Sequence, residues 1–301
     1  MSLRLALREW PFPPGMEAEA PDLLPERLAG MSRRAIEELP IRIGRRTERV
    51  GDFFDVAGAL DGAGGAAIIR TSAAGVLAAS DADGEVVLSG DLTPFARLGA
   101  GMTAGRMRIA GPAGPCAGAG MRGGRLEIHA DAGGRAGEGM TGGVLAVLGS
   151  AGDDLGGPAP TATRGVDRGV ILVAGSAGAR AGRRMRRGVI AIGGDAGPLL
   201  GTEMLAGTVV VLGRAGEGVG TWMRRGTIVL GQGIAPAAPA FAASGSGRFS
   251  FWSLYDGALR AAGVPLPEAW RAGRFRRFVG DRSGAGLGEI LVPSGGADDA
   301  A

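Results

Sequence analysis

The segments Met185-Arg-Arg-Gly-Val-Ile-Ala-Ile192 and Met223-Arg-Arg-Gly-Thr-Ile-Val-Leu230 contain the pattern that decides the fold. Each has an apolar anchor, a glycine three places later and a short strand-like run. The pattern occurs seven times, and the numbers of successive anchors differ by 19 except for one step of 26. The anchors are Met102, Met121, Met140, Val166, Met185, Met204 and Met223. A fixed period of this length indicates a repeat architecture, in which each copy is stable only when stacked on its neighbours.

Two apolar columns can be numbered from the glycine of each copy. The residues two and four places after it are apolar in all seven copies, as in Ile190 and Ile192. Strand side chains alternate between faces, so both columns point into one shared interior. The rest of each copy is rich in glycine and alanine, as in Gly175-Ser-Ala-Gly178, which suits sharp corners and lacks the apolar spacing of a helix.

We therefore predict an all-β fold, a single-stranded parallel β-helix with about 19 residues per coil and short helical caps at its N-terminal and C-terminal ends. The repeat leaves the handedness open, and we take it as right-handed. Seven coils at the usual strand spacing would form a rod on the order of 30 Å long.

The extent of the repeat divides the chain into three predicted regions. Residues 1–40 are predicted as an N-terminal extension with a short helix, capped by Ser32 and stopped by Pro40. Residues 41–231 are predicted to form the β-helix. Residues 232–301 begin with a linker rich in Pro, Ala, Gly and Ser and continue as an aromatic segment, which is either a cap or a docking segment. Within it, Leu254, Ala258 and Leu259 suit an amphipathic helix.

Composition excludes several functional classes. The net charge is only +3, and all 33 basic residues are arginines interspersed with acids, so we expect no nucleic acid partner. No apolar run approaches a membrane span, and residues 1–14 lack the core of a signal peptide. A single cysteine forms no internal disulfide. We expect a cytoplasmic protein with no membrane contact.

Few residues suit acid, base or metal chemistry. His129 is the one histidine and is expected on the surface, while Cys116 is expected to be inert. Asp153 and Asp154, in the stretch 153–160 assigned to the seven-residue insertion, are expected in a solvated loop. No catalytic or metal-binding residue is therefore predicted. A rival interpretation is an acyltransferase on a left-handed β-helix with His129 as base, but such helices use six-residue repeats, and 19 is not a multiple of six.

Arginines recur at equivalent corners of the predicted stack. Arg186, Arg187, Arg224 and Arg225 occupy the two places after an anchor and could bind an anion or an acidic surface, although a solvated corner is the plainer alternative.

A second surface feature is the outward column three places after the glycine, which changes from charged to apolar along the chain. Its apolar members Leu172, Val210 and Val229 are candidates for a partner interface, together with Phe251 and Trp252. Alternatively, the aromatic C-terminal segment folds back over the column.

The coils resemble the C-terminal domain of the glutamate synthase large subunit and, more closely, the C subunit of the formylmethanofuran dehydrogenase family. Two flanking segments carry the closer likeness, Gly51-Asp-Phe-Phe-Asp-Val-Ala-Gly58 and Gly280-Asp-Arg-Ser-Gly-Ala-Gly-Leu-Gly-Glu-Ile-Leu291. The resemblance extends over roughly Pro21 to Val292. Composition favours the bacterial version, the formyltransferase/hydrolase complex, over the archaeal dehydrogenase.

The resemblance implies a scaffold subunit without an active site of its own. The complex would move a formyl group from tetrahydromethanopterin to a methanofuran-like carrier and release formate, with metals in other subunits. Those subunits would be the partners. The carrier's oligoglutamate arm would be anionic, so the arginines at 186, 187, 224 and 225 are its expected contacts. Alternatives are the C subunit of an archaeal-type dehydrogenase and a stand-alone module like that of glutamate synthase.

Overall fold

The computed structural model describes residues 2–13, 15–58, 85–232, 240–249, 260, 264–268, 270, 273–282, 284 and 286–294. Within these ranges the chain is mostly β. The helices described over their whole length are α1 (Pro25–Leu28), α2 (Arg33–Glu37) and α3 (Val50–Phe53). The strands are β1 (Ser2–Leu7), β2 (Ala18–Glu19), β3 (Pro40–Ile43), β4 (Arg46–Arg49), β5 (Phe54–Ala57), β6 (Glu85–Ser89), β7 (Phe95–Ala96), β8 (Arg106–Ile109), β9 (Arg122–Ile128), β10 (Thr141–Val147), β11 (Arg168–Val173), β12 (Val189–Ile192), β13 (Thr208–Val211), β14 (Arg225–Leu230), β15 (Ala242–Gly247), β16 (Phe275–Gly280) and β17 (Leu287–Pro293).

Thirteen strands form one large sheet, in which β6 and β8 to β14 lie side by side in chain order and pair in parallel. Each step along the sheet is one repeat, so that Ile171, Ile190, Val209 and Ile228 are successive partners. The strand β17 adds a further parallel neighbour to β14, and β16 and β15 follow in antiparallel order. The repeat period predicted from the sequence is therefore the period of the sheet.

A second ladder runs beside this sheet. Isolated parallel bridges join Leu92, Ala113, Ala132, Ala151, Ala177, Ala196 and Ala215 in succession. Each coil thus contributes one residue to the bridges and one strand to the sheet before the next coil begins. This arrangement is consistent with a parallel β-helix.

The interior contains the columns predicted from the sequence. The seven anchors and the two strand columns are each at most 1% exposed. Alanines of the bridge ladder join the same core, because a small side chain fits where the two walls of a coil approach each other. The apolar periodicity therefore accounts for the core of the stack.

The glycine three places after each anchor turns the chain from the anchor into the strand. At Gly143 the backbone has φ +81°, in the left-handed region that other residues rarely adopt. A Cβ there would also lie 2.6 Å from the carbonyl oxygen of Gly123 in the preceding coil. Both backbone conformation and close stacking thus require glycine at this place.

A ladder of polar side chains follows one edge of the stack. Asp131 Oδ1 accepts from the backbone N–H of Ser150 at 2.7 Å, and Ser150 Oγ accepts from Ser176 N–H at 3.1 Å. Ser176 Oγ in turn accepts from Asp195 N–H at 3.0 Å, and Asp195 Oδ1 from Arg214 N–H at 2.7 Å. Each side chain thereby satisfies a backbone donor in the following coil.

The extra seven residues lie later in the chain than predicted from the sequence. Asp153 and Asp154 belong to a regular coil, since Gly156 N–H still donates to Ala136 O of the preceding coil at 2.8 Å. Gly157 donates back to Asp154, and the stacking pattern resumes at Val166. The insertion is therefore residues 158–164. The two prolines inside the insertion are the reason that the whole stretch 153–160 was predicted to depart from the repeat.

The N-terminal residues cover the first coils. The strand β1 lies within the large sheet, between β5 and β6, while β2, β3, β4 and β7 form a second, four-stranded sheet. In α2, Ser32 Oγ accepts from Ala35 N–H at 3.2 Å, as predicted for its cap. The predicted helix around residues 254–259 lies outside the described residues. None of the described helices combines the length and apolar character needed to cross a bilayer.

Candidate anion-binding corner and outer face

The predicted arginine corner continues the parallel stacking beyond the strands. Backbone hydrogen bonds connect the residue after each anchor with the anchor of the preceding coil: Arg186 N–H to Val166 O at 2.8 Å, Leu205 N–H to Met185 O at 2.7 Å, and Arg224 N–H to Met204 O at 2.8 Å. The four arginines are thus two pairs, separated by one coil that presents Leu205 at the same place. Two strand spacings put the pairs about 10 Å apart.

The arginines of the corner differ in their partners. Arg186 Nη1 lies 3.3 Å from Asp167 Oδ2 and is partly buried. Arg187, Arg224 and Arg225 are exposed, and within the described part of the chain no ion pair joins them to an acid. An exposed guanidinium without a carboxylate partner is suited to bind a carboxylate or phosphate in two-pronged fashion.

A second arginine group surrounds Asp154 on another edge of the stack. Asp154 is 15% exposed, with Arg180 Nη2 at 2.7 Å and Arg183 Nε at 2.9 Å. Burial raises the pKa of Asp154, but hydrogen bonds and charge from Arg180 and Arg183 outweigh burial and hold the pKa below its ordinary value. The expectation of a solvated loop at Asp154 was wrong, because the next coil covers its carboxylate with two arginines.

His129 and Cys116 lie in different surroundings. His129 Nε2 lies 3.5 Å from Glu127 Oε2 and is 34% exposed, and Glu127 is also bound by Arg125. Burial raises the pKa of the Cys116 thiol, and Glu138 raises it further, so the reactive thiolate is disfavoured. The described residues hold no group of three or more His, Cys, Asp or Glu side chains arranged to bind a metal.

The outward column changes character along the stack. In the early coils it carries ion pairs such as Arg108 with Glu85 at 3.0 Å. In the later coils Leu172, Val210 and Val229 are at most 1% exposed, packed in a cluster with the C-terminal residues Trp270 and Phe275.

The later column therefore contacts the chain's own C-terminal segment, which was one of the two alternatives open from sequence. The role of these three residues in a partner interface stays a prediction, and the surface available to a partner is that of the covering segment. Phe251 and Trp252 lie outside the described residues.

Three exposed apolar side chains near the end of the stack were not predicted from the sequence. Trp222 is 65% exposed, Leu287 is 57% exposed and Leu199 is 37% exposed. A signal was present for Trp222, because the place before the anchor is glycine in the first four coils and becomes Arg184, Glu203 and Trp222 in the last three.

Comparison with known proteins shows which family the chain belongs to. No family model matches the chain. A stretch of 98 residues is 34% identical to the C subunit of the tungsten-containing formylmethanofuran dehydrogenase 2 of Methanothermobacter thermautotrophicus, but this match spans only 33% of the present chain and 30% of that relative.

A solved structure matches over almost the whole chain. It is a chain of the formyltransferase/hydrolase complex (FhcABCD) from Methylorubrum extorquens in complex with methylofuran, with a TM-score of 0.79 and 32% identity over 97% of the present chain and 100% of that chain. Identity at this level over full length exceeds a likeness of fold alone and confirms the resemblance seen in the coils and flanks. The chain belongs to the family of formylmethanofuran dehydrogenase C subunits, as represented in the formyltransferase/hydrolase complex.

Proposed function

We propose that this chain is the scaffold subunit of a formyltransferase/hydrolase complex, which moves a formyl group from tetrahydromethanopterin to a methanofuran-like carrier and releases formate. The observation that carries the proposal is the full-length similarity to a chain of such a complex, at 32% identity and a TM-score of 0.79. The partners are then the other subunits, which hold the metals and the reacting groups.

The chemistry of the described residues supports a role without catalysis. Glu127, the carboxylate beside His129, is also bound by Arg125, the Cys116 thiol has a raised pKa, and the carboxylate of Asp154, whose pKa is lowered, is engaged in ion pairs. The paired ladders make a stiff stack, which we propose to be a single-stranded right-handed parallel β-helix. A stiff stack with a long lateral surface suits the positioning of other proteins.

Affinity purification from the native cell tests the proposal. The tagged chain is expected to recover formyltransferase and hydrolase subunits in fixed stoichiometry, together with formyl-transfer activity. Recovery as a lone monomer would contradict it. An experimental structure of the purified assembly would also test the handedness of the stack.

The second candidate is the C subunit of a formylmethanofuran dehydrogenase, favoured by the 34% identity to the tungsten-containing enzyme's subunit. The two candidates differ in the metal and redox content of the assembly. Elemental analysis of the purified complex is expected to find neither molybdenum nor tungsten for the hydrolase. Either metal in stoichiometric amount would favour the dehydrogenase.

We propose in addition that the two arginine pairs guide the anionic arm of the carrier. Exposed Arg187, Arg224 and Arg225, with Arg186 beside them, offer a row of positive charges about 10 Å long, which an extended chain of carboxylates can follow. Replacing all four by glutamine is expected to lower turnover at subsaturating carrier and to leave turnover at saturating carrier nearly unchanged.

The hairpin β3–β4 offers a matched control for this test. It carries four exposed arginines far from the corner in sequence, Arg42, Arg45, Arg46 and Arg49. Their replacement by glutamine changes the net charge equally, from +3 to −1 by the loss of four positive charges. An equal effect of both quadruple variants would show a general effect of charge and would contradict a specific contact at the corner.

A further inference from the structure

Trp222 stands at a place where the fold favours glycine. The residue before the anchor has positive φ in the early coils, where it is Gly101, Gly120 or Gly139. Trp222 has φ 57° at the same place. Arg184 and Glu203 have the same conformation at the equivalent place of the two preceding coils, with φ 53° and 56°, so what distinguishes Trp222 is its side chain. A bulky residue in this conformation is strained by about 1–3 kcal/mol. A large apolar side chain that is strained and also exposed does not serve the stability of the coil.

The segment that follows β16 lies next to Trp222 and carries a second exposed apolar side chain. The turn after β16 holds its backbone, since Asp281 Oδ2 accepts from Trp222 N–H at 2.7 Å. The start of β17 flanks the next residue, because a Cβ at Gly288 would lie 2.7 Å from Met223. Leu287, the neighbour of that glycine, is 57% exposed.

A third exposed apolar side chain, Leu199 of the preceding coil, lies beside the turn that carries Trp222. A Cβ at Gly218, in the same turn as Trp222, would lie 2.7 Å from Leu199 Cδ2. We call Leu199, Trp222 and Leu287 the last-coil patch. The exposed Arg224 and Arg225 lie at its edge, with Arg225 paired to Leu287 across the β14–β17 ladder.

We propose that the last-coil patch docks another protein subunit of the complex, one that offers an apolar pocket for Trp222 with carboxylates around it. The inference rests on the proposed function. Tryptophan and arginine are among the residues most enriched where interface energy is concentrated, and an apolar centre with a polar rim is the usual arrangement. The positive charge of the arginines at the rim favours a partner surface that carries acids.

The same charges argue against a second copy of this chain as the occupant. In a two-fold interface the patch would face itself, which would bring the exposed Arg224 and Arg225 of one copy toward the same arginines of the other. A partner with a negative rim avoids this repulsion.

The test uses Trp222→Gly, which removes the side chain and relieves the left-handed strain while keeping the backbone bond to Asp281. The isolated variant is expected to unfold at the same midpoint as the wild type or higher. In the tagged chain purified from the native cell, recovery of the formyltransferase and hydrolase subunits is expected to fall about tenfold or more. Leu287→Ser, at the other end of the patch, is expected to act in the same direction.

Glu203→Gly is the matched control, because it changes the same place in the preceding coil and removes no apolar contact surface. It is expected to recover the other subunits as the wild type does. Normal recovery by Trp222→Gly would overturn the docking patch while leaving the scaffold role intact. Failure of the wild-type chain itself to recover those subunits would overturn the scaffold role. Self-association of the isolated wild type that is lost in Trp222→Gly would identify a second copy as the occupant and overturn the proposed partner.

Discussion

Glycine serves two separate physical purposes in this chain. It allows a backbone with positive φ, and it leaves room for the backbone of the preceding coil. At Gly143 both positive φ and the backbone of the preceding coil exclude a side chain. At Gly120 the backbone has φ +64°, yet a Cβ placed there would have no neighbour within 4 Å, so only the conformation favours glycine. Both glycines have the left-handed conformation, but only Gly143 lies against the backbone of a neighbouring coil.

Alanine substitution at these two glycines is expected to give unequal losses. Gly120→Ala is expected to lower the free energy of unfolding by about 1–2 kcal/mol, the cost of the left-handed conformation. Gly143→Ala is expected to cost clearly more, because the coils must also move apart. Chemical denaturation of both variants measures the difference. Equal losses would mean that stacking distance does not require the glycine.

Asp154 gives the stack a dependence on pH. Its pKa is lowered in the folded chain below the ordinary 3.8, so its ion pairs stabilise the fold above that value. The stabilisation is lost as pH falls through the lower folded pKa. Asp154→Asn keeps a residue tolerant of φ 56° and is expected to lower stability at pH 7 by about 1–3 kcal/mol.

The difference between wild type and Asp154→Asn is expected to shrink progressively below about pH 4, where the carboxylate of the unfolded chain begins to bind a proton, until pH falls below the lower pKa of the folded chain. Unfolding curves at several pH values measure it. Asp153→Asn is the control, because Asp153 is 59% exposed and an amide oxygen can still accept from Ala179 N–H. A difference that persists unchanged at low pH would show that the charge of Asp154 is not responsible.

The sequence was sufficient to predict the strands and turns that recur in every coil. The anchors, the strand columns and the turn glycines were predicted because each of seven copies constrains the same place. The position of β1 inside the large sheet was not, since Ser2–Leu7 occurs once and its pairing with β6 depends on the distant first coil. The covering of Leu172 and Val229 also remained open, because an apolar outward column fits a partner and a folded-back segment equally well.

The packing of the C-terminal segment can be tested at Trp270. Its ring lies 5.7 Å from that of Phe275 in an edge-on arrangement, and it is 6% exposed over the later column. Trp270→Ala is expected to destabilise the docked segment by about 3–5 kcal/mol. Because the coils have their own core, hydrogen exchange is expected to accelerate in β16 and β17 and to change little in β9 and β10.

Trp222→Ala is the control for Trp270→Ala, since the same side chain is removed from a place that is 65% exposed. It is expected to leave the exchange of β16 and β17 nearly unchanged. If both variants accelerated exchange equally, the cluster around Trp270 would not be what holds the segment.

The stability of the whole stack is expected to be that of a one-dimensional array, in which each coil contacts its two neighbours. The coil from Arg122 to Met140 lies outside the part covered by the C-terminal segment, whose cluster begins at Ala146. Deleting this coil joins Met121 to Thr141 and makes β8 the neighbour of β10, with Met107 opposite Leu145. The deletion variant is expected to fold cooperatively with a lower unfolding midpoint, as measured by circular dichroism, because every remaining coil keeps a neighbour in register.

The control is the deletion of Arg122 to Gly139, which is one residue shorter than the coil. Because side chains alternate along a strand, this off-period deletion shifts the register by one residue and turns the apolar columns outward. The control variant is expected not to fold, since the interior of the stack would then receive the outward side chains. Equal behaviour of the two deletions would mean that the stack tolerates slippage, and the coil period would not be what specifies this architecture.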